Sequence, residues 1–261
     1  MGLDTSRQAP LYAMFTVCIN AVCPPFAQSF IIEYLLAIQS RIRLLTMRED
    51  FTHQLTQIDE ALVTMAGLVG KSISLATSAL LEDDLASAEQ VIAGDERINE
   101  LNAEVEEMSS RIAALQAPVA TDLRLVMGAI RMAGSLERMG DLAVHIAKQV
   151  RLRYPNPSIP AELKDTFAKM GNAASKIVEQ TGEVISSRNT SLADDMKVYD
   201  DTLDDLHREL FTVVLSDDWK HGVEAAIDVT LLSRFYERFG DHAVSVARRV
   251  IHIVTGEPYA K

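Results

Sequence analysis

Glu137 and Asp141 stand four residues apart in the stretch SLERMGDLAVHIA (135–147), and His145 follows four later. On a helix this spacing puts all three on one face, a turn apart. Two carboxylates so placed repel each other, and something nearby must offset their charge. FYERFGDHAVSVA (235–247) writes the same pair again as Glu237 and Asp241. Small residues accompany both pairs: Gly140 and Ala143, then Gly240 and Ala243. Glycine inside a helix costs about 1 kcal/mol against alanine, so its recurrence points to a close neighbour. Gathered carboxylate oxygens suit a hard or borderline cation such as Mg²⁺, Mn²⁺ or iron. The competing uses are an interhelical ion-pair network with Arg138, Arg238, Arg124 or Arg131, or a solvated face.

The helices that carry these acids are legible from periodicity. Phe51, Leu55, Ile58, Leu62, Met65, Val69, Ile73, Ala76 and Leu80 mark a first helix by their spacing of threes and fours. A second follows the acids of EDDL (82–85) and carries Ala88, Val91, Ile98, Leu101, Val105, Met108, Ile112 and Leu115. A third starts near Pro118 and reaches about Arg153. YPNPSIP (154–160) is a strong break, with Ser158 and Pro160 expected to cap a fourth helix. A fifth spans Leu192 to Val213. A sixth runs from the turn at Trp219 to Val254 and stops at Gly256 and Pro258.

The fold class expected is all-α: two tandem three-helix bundles, 47–154 and 155–261, lying side by side or end to end. Over 137–150 and 237–250, eight of fourteen positions are identical. GDERINEL (94–101) and YDDTLDDL (199–206) also align, and a repeat is a stronger signal than a single motif. Asp95 then falls on the apolar seam of the second helix, between Val91 and Ile98, and Asp200 borders that of the fifth. A carboxylate without a partner there is costly. Asp95 and Asp200 therefore join Glu137, Asp141, Glu237 and Asp241 as metal candidates, with Asn99 and Asp204 one turn on.

Composition limits the alternatives. The net charge of −12 excludes a nucleic-acid binder relying on bulk basicity. With 48% hydrophobic residues the chain can bury a core. The two cysteines, Cys18 and Cys23, make neither a disulfide scaffold nor a zinc ribbon, and fit a reducing, cytoplasmic setting. Residues 1–46 carry little charge and read as an extension outside the repeated fold. No Glu-x-x-His pair of the di-iron bundles occurs, no nucleophile–base pair can be assembled, and His207, His221 and His252 read as surface or boundary residues.

At LQAPVATDLR (115–124), ERMGDLAVHIA, ERFGDHAVSVA and the closing IHIVTGE, the chain resembles the PhoU family of phosphate-signalling regulators, over roughly Arg48 to Gly256. The resemblance implies no catalysis. It implies a cytoplasmic negative regulator of high-affinity phosphate uptake and of the starvation response. Such a protein binds the phosphate ABC-transporter ATPase and the phosphate-sensing histidine kinase and touches the membrane only through them. A homodimer is expected from the exposed helical faces. It further implies a divalent or multinuclear metal, whether iron, zinc, manganese or magnesium, on Glu137, Asp141, Glu237 and Asp241 with Asp95 and Asp200. Members often read Gly-Asp-His-Ala-x-Asn. Here Leu142 and His145 depart from that pattern in the first copy and Ser245 in the second. His145 is a transition-metal donor, and Ser245 is a poorer ligand than asparagine. The alternative is a carboxylate-bridged metal-binding helical bundle, serving metal storage or a metalloenzyme.

Overall fold

The computed structural model describes residues 25–257, and Cys18 and Cys23 lie outside them. Every regular element among the described residues is helical: α1 (Pro25–Glu82), α2 (Leu85–Gln116), α3 (Ala120–Arg153), a 3-10 turn (Ala161–Leu163), α4 (Lys164–Ser187), α5 (Thr190–Asp195), α6 (Lys197–Val214) and α7 (Gly222–Thr255). The chain divides into two units, Met1–His53 and Gln54–Lys261. The described part of the first is helical from Pro25. The candidate metal-binding residues all belong to the second. The boundary expected at 46/47 falls inside α1, because neither proline nor glycine interrupts residues 26–66.

Three elements differ from expectation, each for a local reason. The helix expected from Leu192 to Val213 is two, α5 and α6, parted at the buried Met196. Ser158 does not cap α4. Its backbone N–H donates to Asp83 Oδ1 at 3.2 Å, and the 3-10 turn leads into the helix instead. Leu115, at the end of the α2 stripe, is 70% exposed, since α2 has left the core by its last turn. The acids of EDDL do act at the α2 start: Asp84 accepts hydrogen bonds from Ala86 N at 2.9 Å and Ser87 Oγ at 2.6 Å. Trp219 braces its turn by donating from Nε1 to the Gly222 carbonyl at 2.8 Å.

Packing sets the repeats side by side. Helix α2 lies on α3, α3 on α7, and α4, α5 and α6 on α7. Helix α1 meets α4, where Thr77 faces Gly171, Val178 faces Gly70 and Ala66 faces Gly182. The stretch Glu49–Glu82 of α1 is long and apolar enough to cross a membrane by length and composition. Its stripe of Ile58, Leu62, Met65, Val69, Ile73 and Leu80 is fully buried in the bundle, while 39% of the apolar window as a whole is buried. Each such side chain contributes about 1.5–3 kcal/mol when fully buried.

The α3/α7 seam is antiparallel. His145 stacks on Phe235 at 5.3 Å, while Ile253 closes over Gly128, so one helix runs forward as the other runs back. This register brings the two Glu-Asp blocks level with each other at mid-seam. A buried hydrogen bond joins α1 to α7: the Tyr236 hydroxyl lies 2.8 Å from Thr77 Oγ1, which itself donates to the Ile73 carbonyl. Tyr236→Phe removes the bond without leaving Thr77 unpaired. We expect it to cost about 1 kcal/mol, measured by urea denaturation; no loss would mean the buried hydroxyl contributes nothing.

Candidate functional site

In the first repeat the acids gather between α2 and α3. Gly140 lets α2 approach: a Cβ there would stand 3.2 Å from Asp95 Oδ1 and 3.1 Å from Ile98 Cδ1. Asp95 Oδ2 accepts from Asn99 Nδ2 at 3.1 Å, but Oδ1 is buried without a hydrogen-bond partner. Burial, and then the charge of Asp141, raise the Asp95 carboxyl above its ordinary value, while the Asn99 bond opposes them. Glu137 is raised as well, first by burial, then by Asp141. Arg138 partly compensates, reaching Asp141 Oδ2 at 2.9 Å and Glu137 Oε2 at 3.5 Å. His145 is exposed, and its charge bears weakly on Asp95.

The second repeat repeats this between α6 and α7, more tightly. A Cβ on Gly240 would stand 2.7 Å from Asp200 Oδ1 and 2.9 Å from Leu203 Cδ1, so any larger residue would make both side-chain ends shift. Asp200 Oδ1 is again buried without a partner. Burial, then the charges of Asp204 and Asp241, push its carboxyl up to about 6. Glu237, its side chain only 13% exposed, is raised by burial and by Asp241. One oxygen meets Arg234, and Oε2 is left buried and unpaired.

All six residues expected from the sequence are therefore brought together in two groups: Asp95, Glu137 and Asp141, and Asp200, Glu237 and Asp241. Gly140 and Gly240 each have the close neighbour the sequence implied, and in both repeats it includes a carboxylate, Asp95 or Asp200. Asp204 joins the second group. Arg234 was missed, although its place one turn before Glu237 is a signal; the matching position in the first repeat is Gly134, so the repeat does not repeat it. The interhelical ion-pair network expected as the alternative does not form among the described residues: Arg138 pairs with Glu137 and Asp141 within α3. Arg124 donates to Thr121 Oγ1 at 2.9 Å, and Arg131 faces another arginine. The histidines are held elsewhere: His207 by Ser233, His221 by Glu162 and His252 by the Glu257 carbonyl.

Among the described residues no three His, Cys, Asp or Glu side chains converge in a geometry ready to hold a metal ion. The donor set nevertheless fits a cation. Three buried carboxylate oxygens lack a partner, and the acids around them raise one another. A cation would satisfy the orphaned oxygens and offset the repulsion.

The PhoU domain model matches the chain twice, over residues 62–150 and 167–250. A relative from Mycobacterium tuberculosis named phosphate-specific transport system accessory protein PhoU homolog 2 is 50% identical over 210 residues, covering 80% of this chain and 99% of the relative. A PhoU homolog from Aquifex aeolicus is 35% identical over 208 residues, 78% of this chain and 92% of that one. Two crystal structures superpose on the fold. PhoU from Pseudomonas aeruginosa does so with a TM-score of 0.68 at 28% identity, covering 79% of this chain and 100% of that chain. The phosphate transport system regulatory protein PhoU from Streptococcus pneumoniae gives 0.73 at 25% identity, with 81% and 100% covered.

Proposed function

The chain belongs to the PhoU family, and from that premise we propose that it is a negative regulator of high-affinity phosphate uptake and of the phosphate-starvation two-component response. It acts by binding the phosphate-transporter ATPase and the sensor histidine kinase, in the cytoplasm, as a homodimer, and without catalysis of its own. The observation that carries this reading is the 50% identity, over almost the whole of the relative, to a phosphate-specific transport system accessory protein. The names of the relatives support a role in phosphate transport regulation; the partners and the sign of the regulation are our proposal.

The acid groups have a place in this reading. Asp95, Glu137 and Asp141, and Asp200, Glu237 and Asp241, would hold iron, zinc, manganese or magnesium, which supplies fixed positive charge on a face otherwise crowded with carboxylates. What the chain itself contributes is position. Gly140 and Gly240 bring α2 and α6 close enough for Asp95 and Asp200 to join the motif acids. Arg138 and Arg234 hold the motif carboxylates in place. The orphaned Asp95, Asp200 and Glu237 oxygens also favour a second reading, a carboxylate-metal bundle for storage or catalysis.

A tagged pull-down from phosphate-replete cells separates the two. We expect recovery of the transporter ATPase or the sensor kinase. Recovery of neither, with metal in the purified protein, would favour the second reading. Glu137→Ala with Asp141→Ala removes side chains that are partly exposed, so the helices should form while metal or partner binding weakens. Unaltered phosphate regulation in that variant would exclude a functional role for the first acid group.

A further inference from the structure

The two ends of the α3/α7 seam are related by the repeat, yet their charges differ. At one end Arg153 of α3 is answered by acids of α7: its Nη2 donates to the buried Asp228 Oδ1 at 2.9 Å, and Nη1 pairs with Glu224. At the other end the positions matching Arg153, Asp228 and Glu224 at an offset of one hundred residues hold Ile253, Gly128 and Arg124. Here Ile253 packs over Gly128. One turn inward along each helix, the antiparallel register sets Arg131 of α3 level with Arg249 of α7, close enough for the charge of one to bear on the other. The matching residues at the first end are Leu231 and Gln149. The fold therefore does not need a cation at either place.

These two arginines are unanswered. Among the described residues neither has a carboxylate within ion-pair distance, in a chain with 37 acids for 25 lysines and arginines. Arg249 is partly buried, and its Nε has no hydrogen-bond acceptor. Among the described residues its one side-chain hydrogen bond is long, from Nη2 to Ser245 Oγ at 3.5 Å. Burial, and then the charge of Arg131 across the seam, hold Arg249 below its ordinary value. Like charges brought together with free donors cost stability unless an anion accepts from them. Of the other half-buried cations among the described residues, Arg153 is answered by Asp228, Lys164 by Asp83 and Arg188 by Asp59 at 2.6 Å, while Arg124 meets only the Thr121 hydroxyl.

We propose that Arg131 and Arg249, with the Ser245 hydroxyl, form a binding site for a phosphate-type oxyanion on the α3/α7 seam. Two guanidinium groups offer planar paired donors, a geometry matched by phosphoryl oxygens. Their two charges are balanced by a dianion, whereas a single carboxylate would balance one. Arg124, two turns back on α3, extends the basic lane for a larger phosphorylated ligand. The proposal stands on these side chains and not on the regulatory reading, so either can fail without the other.

The test is isothermal titration calorimetry of the full chain with inorganic phosphate and with pyrophosphate. Its variants borrow the other repeat's residues, Arg131→Leu and Arg249→Gln. We expect saturable binding of at least one ion to the wild-type chain at millimolar concentration. The double variant should bind about tenfold more weakly or worse, with helix content and Tm undiminished. Binding of phosphate makes the free ion the ligand; binding of pyrophosphate alone makes it the phosphoryl end of a larger molecule. Arg131 is exposed, so Arg131→Leu alone tests the site even where Arg249→Gln disturbs packing. No saturable binding of either ion to the wild type, or equal affinity in the variants, would overturn the proposal.

Discussion

Gly171→Ala is expected to destabilise the bundle by about 2–3 kcal/mol, the upper range for an overpacked core. A Cβ at this position in α4 would stand 2.2 Å from Thr77 Cγ2, 2.7 Å from Oγ1 and 2.9 Å from Cβ. Rotating Thr77 cannot relieve all three contacts, because its Cβ is fixed to the α1 backbone. It would also break the bonds of Thr77 Oγ1 to Tyr236 and to the Ile73 carbonyl. Helices α1 and α4 must therefore separate. The sign is diagnostic, since alanine for glycine in an uncrowded helix stabilises by up to about 1 kcal/mol. Gly134→Ala, where nothing lies within 4 Å of the new Cβ, serves as that control. Thermal unfolding should show a lower Tm for Gly171→Ala and an equal or higher one for Gly134→Ala. Thr77→Ala added to Gly171→Ala should recover only part of the loss, because the alanine Cβ still crowds. A Gly171→Ala chain as stable as the wild type would mean that α1 and α4 are not held this closely.

The metal-free chain should lose stability as pH rises from about 4 to about 6, and Asp200 should dominate the loss. Its carboxyl is pushed up to about 6 from an ordinary 3.8, so the folded state holds this proton more tightly than the unfolded state. Below pH 4 the residue is protonated in both states and costs nothing. Through the window the folded state must give up a proton it favours, and stability falls; above pH 6 the penalty is constant. Asp59, Asp95, Glu137 and Glu237 are raised too and add to the same slope, while the exposed Asp84 and Glu162, lowered by hydrogen bonds, oppose it. Asp200→Asn keeps the shape and removes the charge. Discounted for a side chain half open to solvent, the gain at pH 7.5 should be ~1–2 kcal/mol, or about 2–6 °C in Tm. Manganese added to the wild type at pH 7.5 should raise Tm, more than it does at pH 5, where protons compete; Asp200→Asn should blunt that rise. A variant less stable than wild type at pH 7.5 in chelator would show that Asp200 sits in a favourable ion pair. A wild-type Tm indifferent to manganese, iron, zinc and magnesium would remove the metal reading.

What could be read beforehand was whatever is periodic or duplicated. The stripe Ile58 to Leu80 lies in the core because spacing of threes and fours admits one burial geometry. Asp95 and Asp200 stood out because a carboxylate on an apolar seam needs a reason, and each is now found beside a glycine. The interruption at Met196 was not legible, because both sides of it keep helical spacing. Ser158 looked like a cap from its residue type alone, but its backbone bond to Asp83 joins residues 75 apart, and no local pattern encodes such a contact. The same holds for Arg153 with Asp228, and for Arg131 against Arg249. Each depends on the antiparallel register of α3 and α7, which two separately drawn bundles leave open.

That register has a further consequence. Each long helix of one repeat meets its own counterpart, α1 with α4 and α3 with α7, so the surface joining the repeats is isologous. One repeat carries both halves of the contact, and two identical copies could close the same bundle. Joining them in one chain replaces an association that depends on protein concentration with one set by a short linker. It also frees the two halves to differ, which identical subunits under an exact twofold cannot do. A seam with Arg153 and its acids at one end and Arg131 with Arg249 at the other is available only to the fused form.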